Sequence, residues 1–168
     1  MKNIFCTLLL FGSTYLVHSQ SLYLLDEKFG YKDIRLETLK SDMLDKIWDC
    51  TPDGHCLISG AKYRKINDVN IKNIFVKFHQ NKLMVIMLMI EGKDNVDDLL
   101  EIYKTAYGKA NNYNQDEMEV MWKANKSFLD FNIDVDKDGK VSALVMIGSN
   151  ELLNNNNMSD LKKSIDDL

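Results

Sequence analysis

The amino-acid sequence predicts an α+β domain in which two amphipathic helices pack on one face of an antiparallel sheet of about five to six strands. Two segments carry apolar residues at helical spacing, and the chain between and after them alternates apolar and polar residues. Between the two segments lies the run LMVIMLMI, residues 83–90, which is too short to span a bilayer and is typical of a central strand buried on both faces. These three observations define the predicted fold class.

The first residues have the three-part pattern of a secretory signal peptide. Lys2 precedes an apolar run over residues 4–11, and Val17-His18-Ser19 ends in a small residue before a cleavage point. We expect cleavage near Ser19 and a periplasmic or secreted mature chain. The apolar run is too short for a membrane anchor, so we expect the segment to be cleaved. No transmembrane segment is expected in the mature chain. Cys6 lies inside the run rather than at its end, so it is a poor candidate for lipid attachment.

Two segments are predicted to form amphipathic helices that bury one stripe against the sheet. The first covers roughly residues 38–48, has Thr38 as its N-cap, and carries the apolar positions Leu39, Met43, Ile47 and Trp48. The second follows Asp94-Asn95 and reaches Gly108, which stands where a C-terminal cap is expected. Its apolar stripe consists of Val96, Leu99, Leu100, Tyr103 and Tyr107.

Strands are predicted near residues 57–66, 74–79, 83–90, 118–122, 127–135 and 140–148. Compared with each other, residues 38–90 and 96–148 each contain one predicted helix followed by about three antiparallel strands. Two helix-plus-meander repeats are therefore one arrangement that the pattern allows. The letters of the two halves do not align well, so the sequence leaves the repeat open.

The chain is expected to divide into three parts, which are a signal peptide at residues 1–19, a single α+β domain at 20–153, and an asparagine-rich linker with a short C-terminal helix at 154–168. A mature chain of roughly 150 residues has the usual size of one domain with one core. The asparagines of residues 154–157 are typical of a linker. The stripe of the C-terminal helix would be Met158, Leu161, Ile165 and Leu168.

Cys50 and Cys56 are the two cysteines of the expected mature chain, and export exposes them to an oxidising environment. Between them Pro52-Asp53-Gly54 predicts a turn that brings the sulfurs together. We therefore predict a disulfide. The alternative is a zinc site built from the two cysteines with Asp53 and His55, although structural zinc sites usually draw their ligands from two separated pairs.

The stretch DVDKDGK, residues 134–140, fits either a calcium loop or a tight hairpin turn. Asp134, Asp136 and Asp138 are spaced like the first ligands of a helix-loop-helix calcium site, but the twelfth position of that loop is Val145, which is no ligand. A three-residue turn instead places apolar residues opposite one another and gives Gly139 a left-handed conformation. The predicted pairs are Val135–Val141, Ile133–Ala143, Phe131–Val145 and Leu129–Ile147. The sequence favours the turn and keeps the three aspartates as calcium candidates.

Composition and motifs argue against several classes of function. The formal net charge is −4 and the basic residues are scattered, which argues against nucleic acid or an anionic membrane surface as a partner. There is no glycine-rich phosphate loop, no G-x-S-x-G elbow and no H-E-x-x-H helix, so we predict no catalytic residue and no cofactor. The methionines are expected to fill the core rather than to form an adaptable binding surface; they are Met84, Met87, Met89, Met118, Met121 and Met146. Trp48 and Trp122 are expected in the core or at its edge.

Four segments resemble small exported proteins of unknown function that are common in Bacteroidetes: KFGYKDIRLETLKSDM, IKNIFVKFHQNKLMVIMLMIEG, YKTAYGKA and MEVMWKANKSFLDFNIDVD. The shared cues are an F-x-x-N-K-L hairpin, a helix that closes on Tyr107-Gly108, and Trp122-Lys123 before a strand. The resemblance implies a periplasmic or secreted α+β protein and no catalytic residues. The helix-plus-sheet layout is also similar to beta-lactamase-inhibitor-like folds, and likeness of fold implies no inhibitory function.

The leading hypothesis from the sequence is a non-catalytic exported module that binds an unknown protein or envelope component through a sheet face or a loop. It rests on a well-patterned core without a convergent catalytic set. The alternatives are an enzyme of unrecognised type, which requires a deep pocket lined by perturbed acids or histidines, and a module that calcium stabilises through residues 134–139.

Overall fold

The computed structural model describes residues 22–114 and 118–156. Within these ranges there are three α-helices, which are α1 at residues 22–28, α2 at Lys93–Tyr107 and α3 at Asn150–Asn154. Single turns of 3-10 helix cover Lys40–Met43 and Ala61–Tyr63. The strands are β1 Gly30–Tyr31, β2 Ile34–Arg35, β3 Ile47–Cys50, β4 His55–Ile58, β5 Lys65–Ile66, β6 Val69–Asn70, β7 Asn73–His79, β8 Lys82–Glu91, β9 Asn112–Asn114, β10 Glu119–Lys123, β11 Ser127–Val135 and β12 Val141–Ser149. The predicted signal peptide and the predicted stripe of the C-terminal helix lie outside the described residues.

One antiparallel sheet of eight strands organises the fold, in the spatial order β3-β4-β7-β8-β12-β11-β10-β9. The mixed class and the antiparallel sheet agree with the sequence prediction, but the predicted count of five to six strands is wrong. The pattern missed β3, which it assigned to a helix, and β9, whose Asn-Tyr-Asn sequence has almost no strand signal. Both are edge strands, so one side of each strand needs no partner.

The predicted helix over residues 38–48 does not form. Lys40–Met43 make one 3-10 turn, and the chain is a strand from Ile47 onward, where it pairs with Ile58. Trp48, which the helical pattern placed on the buried stripe, has 60% of its surface exposed. An isolated helix of this length is marginal in water, so pairing with β4 outweighs its weak helical preference.

Helices α1 and α2 pack on the same face of the main sheet and share one core with it. Leu25 comes from α1, and Val96, Leu99 and Tyr103 come from α2. Helix α2 confirms the second predicted helix, and its end is capped as expected, because the N–H of Gly108 donates to the carbonyl of Lys104 at 2.8 Å. The strand residues buried against the helices include Ile74, Val76, Ile86, Leu88, Trp122, Leu129, Phe131 and Val145.

The opposite face of the sheet carries a second apolar cluster, which packs against α3 through Leu152 and Leu153. Met84, Met87 and Met146 are buried in it, which confirms their predicted role in the core. Helix α3 begins at its N-cap Ser149, whose hydroxyl accepts a hydrogen bond from the N–H of Leu152. Asn154, the first residue of the predicted linker, is still helical, and Asn155 is the C-terminal cap of α3.

The main sheet is wider than the helices that cover it. Eight strands span about 34 Å at the usual strand spacing, whereas one helix with its side chains is about 10–12 Å wide. Helix α2 contacts β8, β12 and the strand β6, which lie toward the middle and one side of the molecule. The strands β9 and β10 at the other side are left partly uncovered on the helix face, and this is where the candidate site lies.

Candidate functional site

The structure joins Cys50 and Cys56 in the predicted disulfide, with their Cα atoms 4.0 Å apart. The intervening turn forms as expected, since Gly54 has φ +89° and its N–H donates to the carbonyl of Thr51 at 3.0 Å. Because both sulfurs are bonded to each other, the alternative zinc site has no thiolate ligands. The bond ties the edge strand β3 to β4.

His55 is the buried polar side chain of this loop, and its Nδ1 lies 2.6 Å from the carboxylate of Asp53. The pKa of Asp53 is held below its ordinary value, mainly by the hydrogen bond with the side chain of Thr51 and to a lesser extent by that with His55. Desolvation of the carboxylate acts in the opposite direction. A histidine oriented by an acid is one part of a general-base pair. Its other ring nitrogen, Nε2, is buried and contacts no hydrogen-bond partner among the described residues, so no nucleophile completes the set.

The hairpin between β11 and β12 has the register that the sequence predicted. The confirmed pairs are Val135–Val141, Ile133–Ala143, Phe131–Val145 and Leu129–Ile147. Gly139 has φ +77°, the left-handed conformation that the turn requires. The prediction succeeded because one face of both strands is apolar, and a slip of one residue would turn all of these side chains to the other face.

The three calcium candidates lie in this hairpin, but their carboxylates do not form one cluster. The carboxylate of Asp136 accepts the backbone N–H groups of Asp138 and Lys140, both at 2.9 Å, and so closes the turn itself. Asp134, Asp136 and Asp138 are all exposed. In the part of the chain that the structure describes, no group of three or more His, Cys, Asp or Glu side chains is arranged to hold a metal ion.

A polar cleft lies at the end of the sheet near α1 and α3, with a volume of about 570 Å³. Two of its three lining acids, Asp26 and Glu37, are already bonded within the protein, and the third is Glu151. Asp26 accepts hydrogen bonds from the turn between β10 and β11, and Glu37 accepts one from the Ser149 hydroxyl at 2.7 Å. These carboxylates hold the fold together and are not free to act on a ligand.

A larger depression lies between the C-terminal half of α2 and the strands β9 to β11, with a volume of about 730 Å³. We call it the apolar groove, and its lining residues are Leu100, Lys104, Gly108, Lys109, Ala110, Tyr113, Met118, Val120, Trp122 and Ile133. Its volume falls in the range of sites that hold small ligands, which are mostly apolar with a few polar groups. It forms because the sheet extends beyond the helix layer on this side.

The floor of the apolar groove is held rigidly. Trp122 is fully buried beneath it, and the indole N–H donates to the carbonyl of Gly108 at 2.8 Å, just after the end of α2. The segment after Gly108 is tied to β10, because the N–H of Asn111 donates to the carbonyl of Met121 at 2.9 Å. Helix, loop and strand are therefore fixed to one another on three sides of the groove.

The rim of the apolar groove exposes large apolar side chains and two ammonium groups. Tyr113 and Met118 have 64% and 40% of their surfaces exposed. Lys104 pairs with Glu101 at 2.7 Å, whereas Lys109 is exposed and forms no ion pair with the residues that are described. Lys104 and Lys109 are the two charged side chains among the described lining residues.

Sequence reasoning missed this groove. It placed Trp122 correctly in the core and Val120 on an alternating strand. It wrongly placed Met118 in the core, since 40% of its surface is exposed, and it could not place β9 beside β10. Tyr113, which pairs with Val120, is brought to the rim by that edge strand. The available signal was weak, since a single tyrosine between two asparagines is as typical of a loop as of a strand.

Fold and site together define a mixed helix-and-sheet protein with a preformed apolar groove at the edge of its helix layer. Comparison of the chain with models of known protein families, with curated proteins and with solved structures found no match. Across the residues that the structure describes, no helix is both long and apolar enough to cross a membrane.

Proposed function

We propose that the protein is a non-catalytic binding module that is exported to the periplasm or beyond, and that the apolar groove holds an apolar part of an envelope component. The groove itself is the observation that carries this proposal. Tyr113 and Met118 expose apolar surface at its rim, and an exposed apolar patch beside a preformed cavity is typical of a binding site.

Other features support the same proposal. The pattern of a signal peptide and the disulfide between Cys50 and Cys56 suit an exported protein, because such bonds persist in oxidising compartments. We also propose that the chain contains two helix-plus-meander repeats, in which α1 takes the place of the predicted helix over residues 38–48 that does not form. The order of the sheet supports this, since α1 precedes β3, β4, β7 and β8, α2 precedes β9 to β12, and the last strands of the two sets are neighbours.

The groove is tested with N-phenyl-1-naphthylamine, an uncharged fluorescent probe that emits in apolar sites and accepts energy from tryptophan. The chain has two tryptophans, and Trp48 lies on β3 at the opposite edge of the sheet from the groove. The variant W48F therefore leaves Trp122 as the single donor. We expect the probe to bind with a one-to-one stoichiometry and to be excited through Trp122 in this variant.

Matched variants distinguish binding in the groove from nonspecific binding of the probe to exposed apolar surface. Tyr113→Ser with Met118→Ser removes apolar surface at the rim, and we expect weaker binding of the probe. Leu39→Ser with Leu44→Ser removes exposed apolar surface near β3, and we expect no change. Equal effects of the two pairs, or loss of energy transfer in W48F, would overturn the proposal.

The export half of the proposal has its own measurement. Intact-mass analysis of the protein from an exporting host should give a chain that begins at Gln20. A mass that retains Met1 on the exported material would contradict it.

A further inference from the structure

We infer that the ligand of the apolar groove is a single-chain amphiphile, with one apolar chain and an anionic head group. This inference rests on the proposed function, because it names the chemical class of the ligand that the same groove takes. The shape of the groove bears on the chain, and the charges at its rim bear on the head group.

The chain part follows from the lining. Seven of the lining residues present an apolar side chain, which are Leu100, Ala110, Tyr113, Met118, Val120, Trp122 and Ile133. The indole N–H of Trp122 is already bonded to Gly108, so the floor offers an uncharged ligand little to hydrogen-bond with. A ligand that fills this groove is stabilised by burying its methylene groups. The volume of about 730 Å³ lies in the range of small-ligand sites and suits one apolar chain rather than a two-chain lipid.

The head-group part follows from the charges that face the groove. Lys109 has no ion pair with any described residue, and Lys104 shares its charge with Glu101. The acids on the neighbouring strands point elsewhere: Glu119 alternates with Val120, whose side chain faces the groove, and so lies on the opposite face of β10. The described rim is therefore positive, although the whole chain has a net charge of −4.

The end of α2 opposes this charge only in part. The carbonyl groups at a helix C-terminus carry a partial negative charge, which a lysine nearby commonly balances. Here the Gly108 carbonyl is bonded to Trp122, and the Lys104 carbonyl accepts the N–H of Gly108. These two acceptors are satisfied inside the protein and do not need the ammonium group of Lys109, which forms no ion pair with a described residue.

A free amphiphile fits better than the head group of a membrane lipid. Binding to an anionic membrane surface needs a clustered basic face, and the protein has a net charge of −4 with two lysines at this rim. The ligand is therefore an amphiphilic component of the envelope that the protein binds as a dispersed molecule in the aqueous phase. Vesicles of phosphatidylglycerol provide the contrasting arm of the experiment.

The experiment displaces N-phenyl-1-naphthylamine from the W48F protein with three compounds that share a dodecyl-length chain, which are dodecanoate, dodecan-1-ol and dodecyltrimethylammonium. The two ionic compounds are used below their micellar concentrations and the alcohol below its solubility. We expect dodecanoate to bind about three- to fivefold more tightly than the alcohol, the size that one exposed charge pair supports, and the cation to bind most weakly. In 1 M salt the preference should largely disappear. Decanoate should bind about tenfold or more weakly than dodecanoate, because each buried methylene contributes about fourfold.

Charge variants assign the preference to residues. Lys109→Gln should remove most of the difference between dodecanoate and dodecan-1-ol, because it removes the charge that the carboxylate meets. Lys123→Gln is the matched control, since Lys123 is an exposed lysine on β10 that points to the opposite face. It changes the net charge equally and should preserve the preference.

The outcomes separate the two proposals. If the probe does not bind, the proposed function and this inference both fall. If the probe binds but dodecanoate and dodecan-1-ol displace it equally, the groove is supported as a binding site and the proposal of an anionic head group is overturned. Sedimentation of the protein with phosphatidylglycerol vesicles, with no displacement by dodecanoate, would overturn the dispersed amphiphile in favour of a membrane surface.

Discussion

The carboxylate of Asp26 on α1 accepts hydrogen bonds from both donors of Ser127, its backbone N–H and its hydroxyl, at the start of β11. One oxygen, Oδ1, accepts the backbone N–H and the hydroxyl of Ser127, each at 2.9 Å, and also the N–H of Lys126 at 2.9 Å. The other oxygen accepts the N–H of Asn125 at 3.0 Å. Ser127 is fully buried. A single side chain near the start of the described chain therefore fixes a turn about a hundred residues later.

Replacing this carboxylate should cost stability. In Asp26→Ala the buried groups of Ser127 lose their acceptor, and hydrogen bonds to a charged group contribute more than neutral ones. We expect the free energy of unfolding to fall by about 2–3 kcal/mol in urea denaturation. Glu27→Ala, at the exposed neighbouring position of α1, is the control and should change it by less than about 0.5 kcal/mol. Equal losses for the two variants would contradict the assigned role.

The sequence predicted those parts of the fold in which local pattern and tertiary packing agree. Helix α2 and the hairpin register were predictable, because the 93–107 stripe and the pairs from Leu129 to Val141 each have one apolar face. The segment 38–48 failed because Met43 and Ile47 also fit a turn followed by a strand, and pairing with β4 decides between them.

The candidate site was less predictable than the fold. The disulfide could be predicted from a turn signal of five residues, which is local information. The apolar groove depends on the width of the sheet relative to α2 and on β9 lying at its edge, and both are long-range properties. Lys109 has no sequence signal of its own. Its lack of an ion pair with the described residues distinguishes it, and that depends on which acids lie near it in the folded protein.

The disulfide should stabilise the protein without determining its fold. A loop of this length gives about 2 kcal/mol in the chain-entropy model, since a short loop loses little freedom when it closes. We expect Cys50→Ala with Cys56→Ala to fold and to melt several degrees lower by circular dichroism. Alanine suits position 56, where the side chain is fully buried. Two titratable thiols in the oxidised, denatured mature protein would show that the bond does not form.

Calcium should have little effect on the hairpin of residues 134–140. Asp136 already accepts two backbone N–H groups, so binding a cation would compete with the turn. We expect 2 mM calcium to leave the melting temperature unchanged, whereas a tight site would raise it by binding the folded state. Asp136→Ala should lower the free energy of unfolding by about 1–2 kcal/mol in either buffer. A rise in melting temperature with calcium that Asp134→Asn abolishes would establish the calcium site instead.

Three tyrosines make the protein sensitive to alkaline pH. Burial raises the pKa of Tyr31 to about 12 and raises the pKa of Tyr103 and of Tyr107 above the ordinary value of 10.0. Below pH 10 these phenols are neutral in both states, so their contribution to stability is fully present. Above pH 10 the unfolded chain loses the protons while the folded protein keeps them, so stability falls as pH rises toward 12.

The slope of that loss can be measured and assigned. Each phenol that stays neutral in the folded state contributes up to about 1.4 kcal/mol per pH unit, so three give up to about 4 kcal/mol per unit between pH 10 and 12. Urea unfolding at pH 8, 9.5, 10.5 and 11 should show this slope. Tyr103→Phe should reduce it by about a third. The same variant should leave the free energy of unfolding at pH 7 unchanged or higher, because the Tyr103 hydroxyl is buried and contacts no hydrogen-bond partner in the described chain. If absorbance at 295 nm showed every tyrosine of the native protein ionising near pH 10, the buried environment of these three rings would be disproved.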